Sequence, residues 1–177
     1  MQLFHHDADS LMNQFLMTYP NSTLYYEASR NLADYYYQKR AYHKALEYYT
    51  TIDSIQLDKE FRDLYKFNFA YSLFSTDSMN AAASLFHDLI SRRSQFNSPS
   101  KYYFGYIAYV DGNYATAKKQ FQALIDQGMY LDEIPLYIVQ MLHEQEDYET
   151  LISFGLPYVD STGTTFNELH KLLAEAY

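Results

Sequence analysis

Apolar residues along this chain recur at helical spacing in short runs, and the runs come in pairs. The pairing is plainest from Lys101 to Gly128, KYYFGYIAYVDGNYATAKKQFQALIDQG. Phe104, Ile107 and Ala108 share one face of the first run; Ala117, Phe121, Leu124 and Ile125 share one face of the second. Asp111-Gly112-Asn113 between them is a strong turn signal, so the stretch predicts two short antiparallel helices. Gly105 falls in the middle of the first, where Gly costs about 1 kcal/mol relative to Ala. A small residue there makes sense if a neighbouring helix crosses close to the backbone.

The rest of the chain repeats this hairpin. A small residue followed four positions later by a large one occurs as Ala45/Tyr49, Ala82/Phe86 and Ala117/Phe121, at spacings of 37 and 35 residues. The large-then-small pair of the first helix occurs as Leu32-Ala33, Phe69-Ala70 and Phe104-Gly105 at the same spacings, and continues as Ile138-Val139 and Leu173-Ala174. Tyr42 and Tyr114 stand three residues ahead of the small residue, and Tyr148 extends that series by 34. A period of this size marks a repeat architecture.

The pattern resembles the tetratricopeptide repeat, a helix-turn-helix with large-small in its first helix, an aromatic in the turn and small-x-x-x-aromatic in its second. The resemblance implies an all-α fold, a right-handed α-solenoid of antiparallel helix-turn-helix repeats forming a single array over 1–177. Its expected parts are the second helix of a partial repeat at 1–20, full repeats at 22–57, 58–96 and 98–130, a degenerate repeat at 132–162, and the first helix of a truncated repeat at 165–177. Ala8, Met12, Phe15 and Leu16 make the apolar face of the opening helix, closed by Tyr19-Pro20-Asn21. Both ends fall inside apparent helices, which reads as a segment cut from a longer protein. The FLMTYPNS run is similar to the repeat junction of bacterial cell-envelope tetratricopeptide proteins, including outer-membrane-assembly and Tol-Pal accessory components. A periplasmic or envelope location is therefore favoured over the cytoplasm.

Punctuation between the runs fits this frame. Ser98 is placed to cap a helix that begins at Pro99. Gly128 closes a helix, Asp132 can cap the next with Pro135 in its first turn, and Thr165 with Glu168 has capping-box spacing. Two departures stand out. Arg40 sits where the family's turn has Gly, and Gly155 replaces the expected aromatic of the fourth second helix. With Pro157 close behind, that helix is expected to be kinked or short.

Composition narrows the function classes. Hydrophobic residues make up 48% of 177, enough for a sizeable core. The apolar runs fall far short of the ~20 residues a membrane span needs, so no membrane insertion is expected. No signal-peptide pattern is legible over Met1–Asp9. Without cysteine there is no disulfide, thiolate site or Cys nucleophile. A net charge of −9 argues against nucleic acid as the ligand, and Arg92-Arg93 is too short for a basic patch. The unusual feature is 21 Tyr and 12 Phe with no Trp. Tyrosine joins an apolar body to a polar tip and suits half-buried interfaces.

In the family, particular positions of each first helix face the concave side. Here the resemblance places Arg30, Asp34 and Tyr37 there in the first full unit, and Phe67, Tyr71 and Phe74 in the second. Tyr102, Tyr106 and Tyr109 follow in the third, with Leu136, Gln140 and His143 in the fourth. Seven of these twelve are Tyr or Phe, six of them in the two central units, a floor that suits an extended peptide or an amphipathic helix. Phe67 and Phe74 are expected to be partly core. The family's carboxylate clamp of Lys, Asn and Arg is not expected: only Asn68 matches outright, and Asp34 would repel a carboxylate.

No catalytic pattern competes with this. His143-Glu144-Gln145-Glu146-Asp147 lacks the second His of a zincin helix and overlaps a turn. His5-His6-Asp7 with Asp9 lies at a terminus that fixes no coordination geometry. Asp132-Glu133, and Glu144 with Asp147, read as helix-end charges. The expectation is a non-catalytic scaffold without cofactor or metal, binding a protein or peptide partner. The alternative is a structural spacer or self-assembly module, associating through the uncovered apolar face of Phe166, Leu169, Leu172 and Leu173.

Overall fold

In a computed structural model of the chain, every regular element among the described residues is helical. The structure describes residues 5–159 and 164–176, excepting the side chains of 5–8 and 164–166. The helices are α1 (His5–Thr18), α2 (Tyr25–Gln38), α3 (Tyr42–Tyr49), α4 (Lys59–Ser75), α5 (Met79–Ile90), α6 (Asn97–Val110), α7 (Tyr114–Ile125), α8 (Ile134–Glu144), α9 (Tyr148–Gly155) and α10 (Thr164–Ala176). Short 3-10 turns lie at Ser54–Gln56 and Leu156–Tyr158. No helix among the described residues is long and apolar enough to cross a membrane.

Four turns are built alike. After α2, α4, α6 and α8 the chain passes through a left-handed residue: Arg40 (φ 57°), Asp77 (63°), Gly112 (73°) and Glu146 (56°). The next amide then reaches back to a carbonyl five residues earlier: Ala41 N to Tyr36 O at 2.9 Å, Ser78 N to Leu73 O at 2.8 Å, Asn113 N to Ala108 O at 2.8 Å, and Asp147 N to Leu142 O at 3.0 Å. This bonding satisfies the last carbonyls of a helix and reverses the chain. The spacing of the four is the 37, 35 and 34 read from the side chains. Only Gly112 adopts the conformation without crowding a Cβ. Arg40 thus holds the turn that its side chain opposes.

Capping differs from expectation in three places. α6 begins at Asn97, so Ser98 lies inside it, and the Asn97 amide donates to the carbonyls of Ile90 and Arg92. α8 begins after Glu133 with no side-chain cap, so Asp132 stands one residue too early, while Pro135 sits in the first turn. Thr165 lies inside α10, which starts at Thr164. Side-chain caps are instead supplied by Asn113 and Asp147, which accept from the amides of Thr116 and Thr150 at 3.2 Å each. α9 is short and runs into the 3-10 turn at Leu156-Pro157-Tyr158, as Gly155 and Pro157 require.

The chain divides into two compact units, residues 1–100 and 101–177. In the first, α2 pairs with α3 and α4 with α5, and α3 packs on α4. Its core holds Leu16, Leu32, Ala33, Tyr36, Ala45 and Tyr49. In the second, α8 pairs with α9, and α10 packs on both. Its core holds Phe121, Leu124, Ile138, Leu142, Leu151 and Leu169. Ala45, Ala82 and Ala117 are each fully buried within their own units, as are Tyr49, Phe86 and Phe121. Gly105 explains itself here: a Cβ on it would stand 2.8 Å from Cε1 of Phe121.

The α10 face expected to lie uncovered is covered in part. Leu169 and Leu173 are 1% and 4% exposed, against α8 and α9, and Leu172 is half-buried. The Phe166 side chain lies outside the described residues.

Candidate functional site

In the first three expected groove triplets the first position lies against an aromatic ring that comes later in the chain. The Arg30 guanidinium sits 4.3 Å from the ring centroid of Phe61. Phe67 stacks on Phe96 at 5.0 Å, and Tyr102 on Tyr130 at 4.7 Å. The repeat spacing makes these three contacts equivalent. Sequence reasoning missed Phe61, Phe96 and Tyr130, though each falls 28–31 residues after the ring or cation it covers. Burial, then its neighbours Tyr137 and Glu133, pushes the Tyr102 phenol well above its usual range.

In the first unit the second position is polar and engaged. Asp34 accepts from Tyr49 Oη at 2.6 Å and Asn68 Nδ2 at 3.0 Å through one oxygen, and from Arg30 Nη1 at 3.1 Å through the other. Arg30 Nη2 also donates to Asn31 Oδ1 at 2.8 Å, and Arg30 is only 9% exposed. Three helices are pinned by this one carboxylate. Burial, then Asp34, raises the Tyr49 pKa far up. Asn68, the clamp-like residue, is buried and spent on Asp34.

Beside this network the rings gather. Tyr37 meets Tyr42 at 5.9 Å and Tyr71 at 5.8 Å, and Tyr42 meets Tyr71 at 5.6 Å, all edge-on. Tyr71 also contacts Phe67 and Phe74 at 6.5 and 6.2 Å. Tyr37, Phe67, Tyr71 and Phe74 are all half-buried. Burial, followed by Tyr71, Tyr42 and Asp34, pushes the Tyr37 phenol up to about 12.

In the second unit the place of the Asp34–Asn68 pair is taken by two rings. Tyr106 and Tyr137, at the equivalent positions, meet edge-on at 5.6 Å. Tyr137 also lies 5.2 Å from Tyr109 and stacks on Phe121 at 5.6 Å. Tyr109 Oη donates to Gln140 Oε1 at 2.9 Å, and Gln140 Nε2 donates to Glu168 Oε1 at 2.8 Å. His143 Nε2 stands 3.6 Å from Glu175 and its ring 5.9 Å from Tyr148. The two polar positions of the fourth triplet are therefore engaged with α10, while Leu136 packs against the core. Tyr137 was not singled out from sequence; it is the residue that the ladder aligns with Asn68.

Among the described residues no three His, Asp or Glu side chains stand together as a metal-holding group. His143 and Asp147 are separated by the left-handed Glu146, and Asp147 caps α9. No protein-family model matches the chain, and no curated protein matches it.

Proposed function

We propose that the chain is a non-catalytic interaction scaffold of tetratricopeptide type, whose first helices present tyrosine-rich faces to a peptide or helical segment of a partner protein. One observation carries this. At the second and third triplet positions the rings of Tyr37 and Tyr71, and of Tyr106 and Tyr109, stay half-exposed beside fully buried small residues. Half-exposed tyrosines offer rigid contact area and a polar tip, the combination enriched at protein interfaces. The repeat period and the four like turns support assigning the hairpins to that type, and a cell-envelope location goes with it as part of the proposal.

The test compares capture of a partner by the intact chain, Tyr106→Ala and Tyr19→Ala. Tyr19 is 57% exposed, belongs to none of the triplets, and serves as the control. Tyr106→Ala should lose capture while keeping its helical circular dichroism; loss of fold, or equal capture by all three, refutes the assignment.

A self-assembly role is favoured by a different surface from the one first expected. Leu11 and Leu24, on α1 and ahead of α2, are 64% and 55% exposed and line one open groove together with Met12, Phe15 and Ala28. Sedimentation of the intact chain against Leu11→Lys decides whether that face holds copies together.

A further inference from the structure

We propose that the tyrosine face of the second unit takes a cationic partner segment, an amphipathic stretch bearing Lys or Arg, an inference that rests on the scaffold reading above. The face consists of Tyr106, Tyr109 and Tyr137, half-buried and in mutual ring contact at 5.2 to 6.3 Å. Carboxylates flank it on both sides. Exposed Glu133 acts on the phenols of Tyr102, Tyr130 and Tyr137, and exposed Glu168 is joined to Tyr109 through Gln140. Glu175 follows beyond, 3.6 Å from His143 and 3.8 Å from Lys171. Residues 101–177 carry four Lys and no Arg against eleven Asp and Glu, so most of the chain's net charge of −9 resides there.

Two kinds of attraction then favour the same ligand. Ring faces are electron-rich and draw an ammonium or guanidinium within about 6 Å. Carboxylates at the rim form charge-assisted hydrogen bonds with the same groups and steer their approach. An anionic segment would meet like charge on both sides. Gln140 adds register, since its amide ties the phenol of Tyr109 to the Glu168 carboxylate and holds both in place.

The experiment uses the full chain and three labelled helical peptides that share one Leu/Phe face. Their polar positions are all Lys, all Gln or all Glu, and binding is read by fluorescence anisotropy. The Lys peptide should bind about tenfold or more tighter than the Gln peptide, with the gap narrowing as salt is raised. Glu133→Gln with Glu168→Gln should weaken the Lys peptide about three- to tenfold and leave the Gln peptide unchanged. Glutamine keeps the acceptor that Gln140 needs at 168, so this variant removes charge without opening the bond. Equal binding of the Lys and Gln peptides, or an unchanged Lys affinity in the double variant, overturns the charge inference and leaves the aromatic scaffold standing. Preference for the Glu peptide overturns it outright. Binding by none of the three overturns the scaffold reading itself, and this inference with it.

Discussion

The close approach at Gly105 makes a double-mutant cycle with Phe121 a sharp test of how the hairpin is packed. A methyl at 105 would lie 2.8 Å from Cε1 and 3.0 Å from Cδ1 of Phe121, and 3.2 Å from Cβ of Gln120. The Phe121 ring has nowhere to go. It is fully buried, stacked on Tyr137 at 5.6 Å and in contact with Tyr102 at 6.4 Å. Overpacking of this kind costs about 1–3 kcal/mol, while Ala in place of Gly in mid-helix returns about 1 kcal/mol. Gly105→Ala alone should therefore destabilise by roughly 0–2 kcal/mol. Phe121→Ala alone should cost about 3–5 kcal/mol as a core cavity. In the Phe121→Ala background the methyl meets no ring, and Gly105→Ala should stabilise by about 1 kcal/mol. The coupling is then about 1–3 kcal/mol, far above the few tenths expected of independent sites. Urea unfolding of the four proteins, followed by far-ultraviolet circular dichroism, measures it. Additivity within about 0.5 kcal/mol, or a stabilising Gly105→Ala in the parent, would refute the packing argument.

Three further outcomes follow from the same geometry. Arg40→Gly and Glu146→Gly, at exposed left-handed positions, should each stabilise by about 0.5–1 kcal/mol, because relief of the Cβ crowding exceeds the added freedom of the unfolded chain; thermal melts with Gly112→Ala as the opposite control check the sign. Asp34→Ala strands the buried Arg30 and should cost about 3–5 kcal/mol, whereas Tyr49→Phe, which removes one bond to the carboxylate, should cost about 1.5–3 kcal/mol; denaturant midpoints that place the two in the reverse order count against the network. Tyr37 is a phenol whose folded pKa is raised to about 12, so its contribution is whole below the ordinary value near 10 and is lost as pH rises through 12. Tyr37→Phe should flatten the alkaline fall in stability over that window, measured by urea midpoints from pH 9.5 to about 12.

Much of the backbone was legible because the signals are local. Large-small pairs, the Asp111-Gly112-Asn113 turn and the shortened α9 all follow from residues adjacent in sequence. Cap positions were less legible: Ser98, Asp132 and Thr165 have the right chemistry, yet the helices begin at Asn97, Ile134 and Thr164. A cap is chosen by where the preceding loop delivers the chain, which side-chain type alone does not state. The fate of the triplets was hidden for a stronger reason. Whether Arg30 faces a groove or lies under a ring depends on Phe61, 31 residues away, and whether Gln140 is available depends on Glu168, 28 residues on. Such contacts become readable only after the repeat register is used to ask what each position meets in the next hairpin.

That question also explains the unit that breaks the pattern. Tyr49, Phe86 and Phe121 fill the space beside their own first helices, and the fourth position offers Gly155 instead. The vacancy is not empty. A Cβ on Gly155 would stand 3.0 Å from Cδ2 and 3.4 Å from Cδ1 of Leu173, so α10 delivers the bulk that α9 withholds. Leu173 continues the large-small series of the first helices, where Leu32 and Ile138 pack in the core of their units. One side chain therefore serves two positions of the repeat, which draws α10 down onto α9 and brings Glu168 and Glu175 within reach of Gln140 and His143. The loss of an aromatic at 155 and the carboxylates beside Gln140 and His143 are in this way one structural event, both set by where α10 packs on α8 and α9.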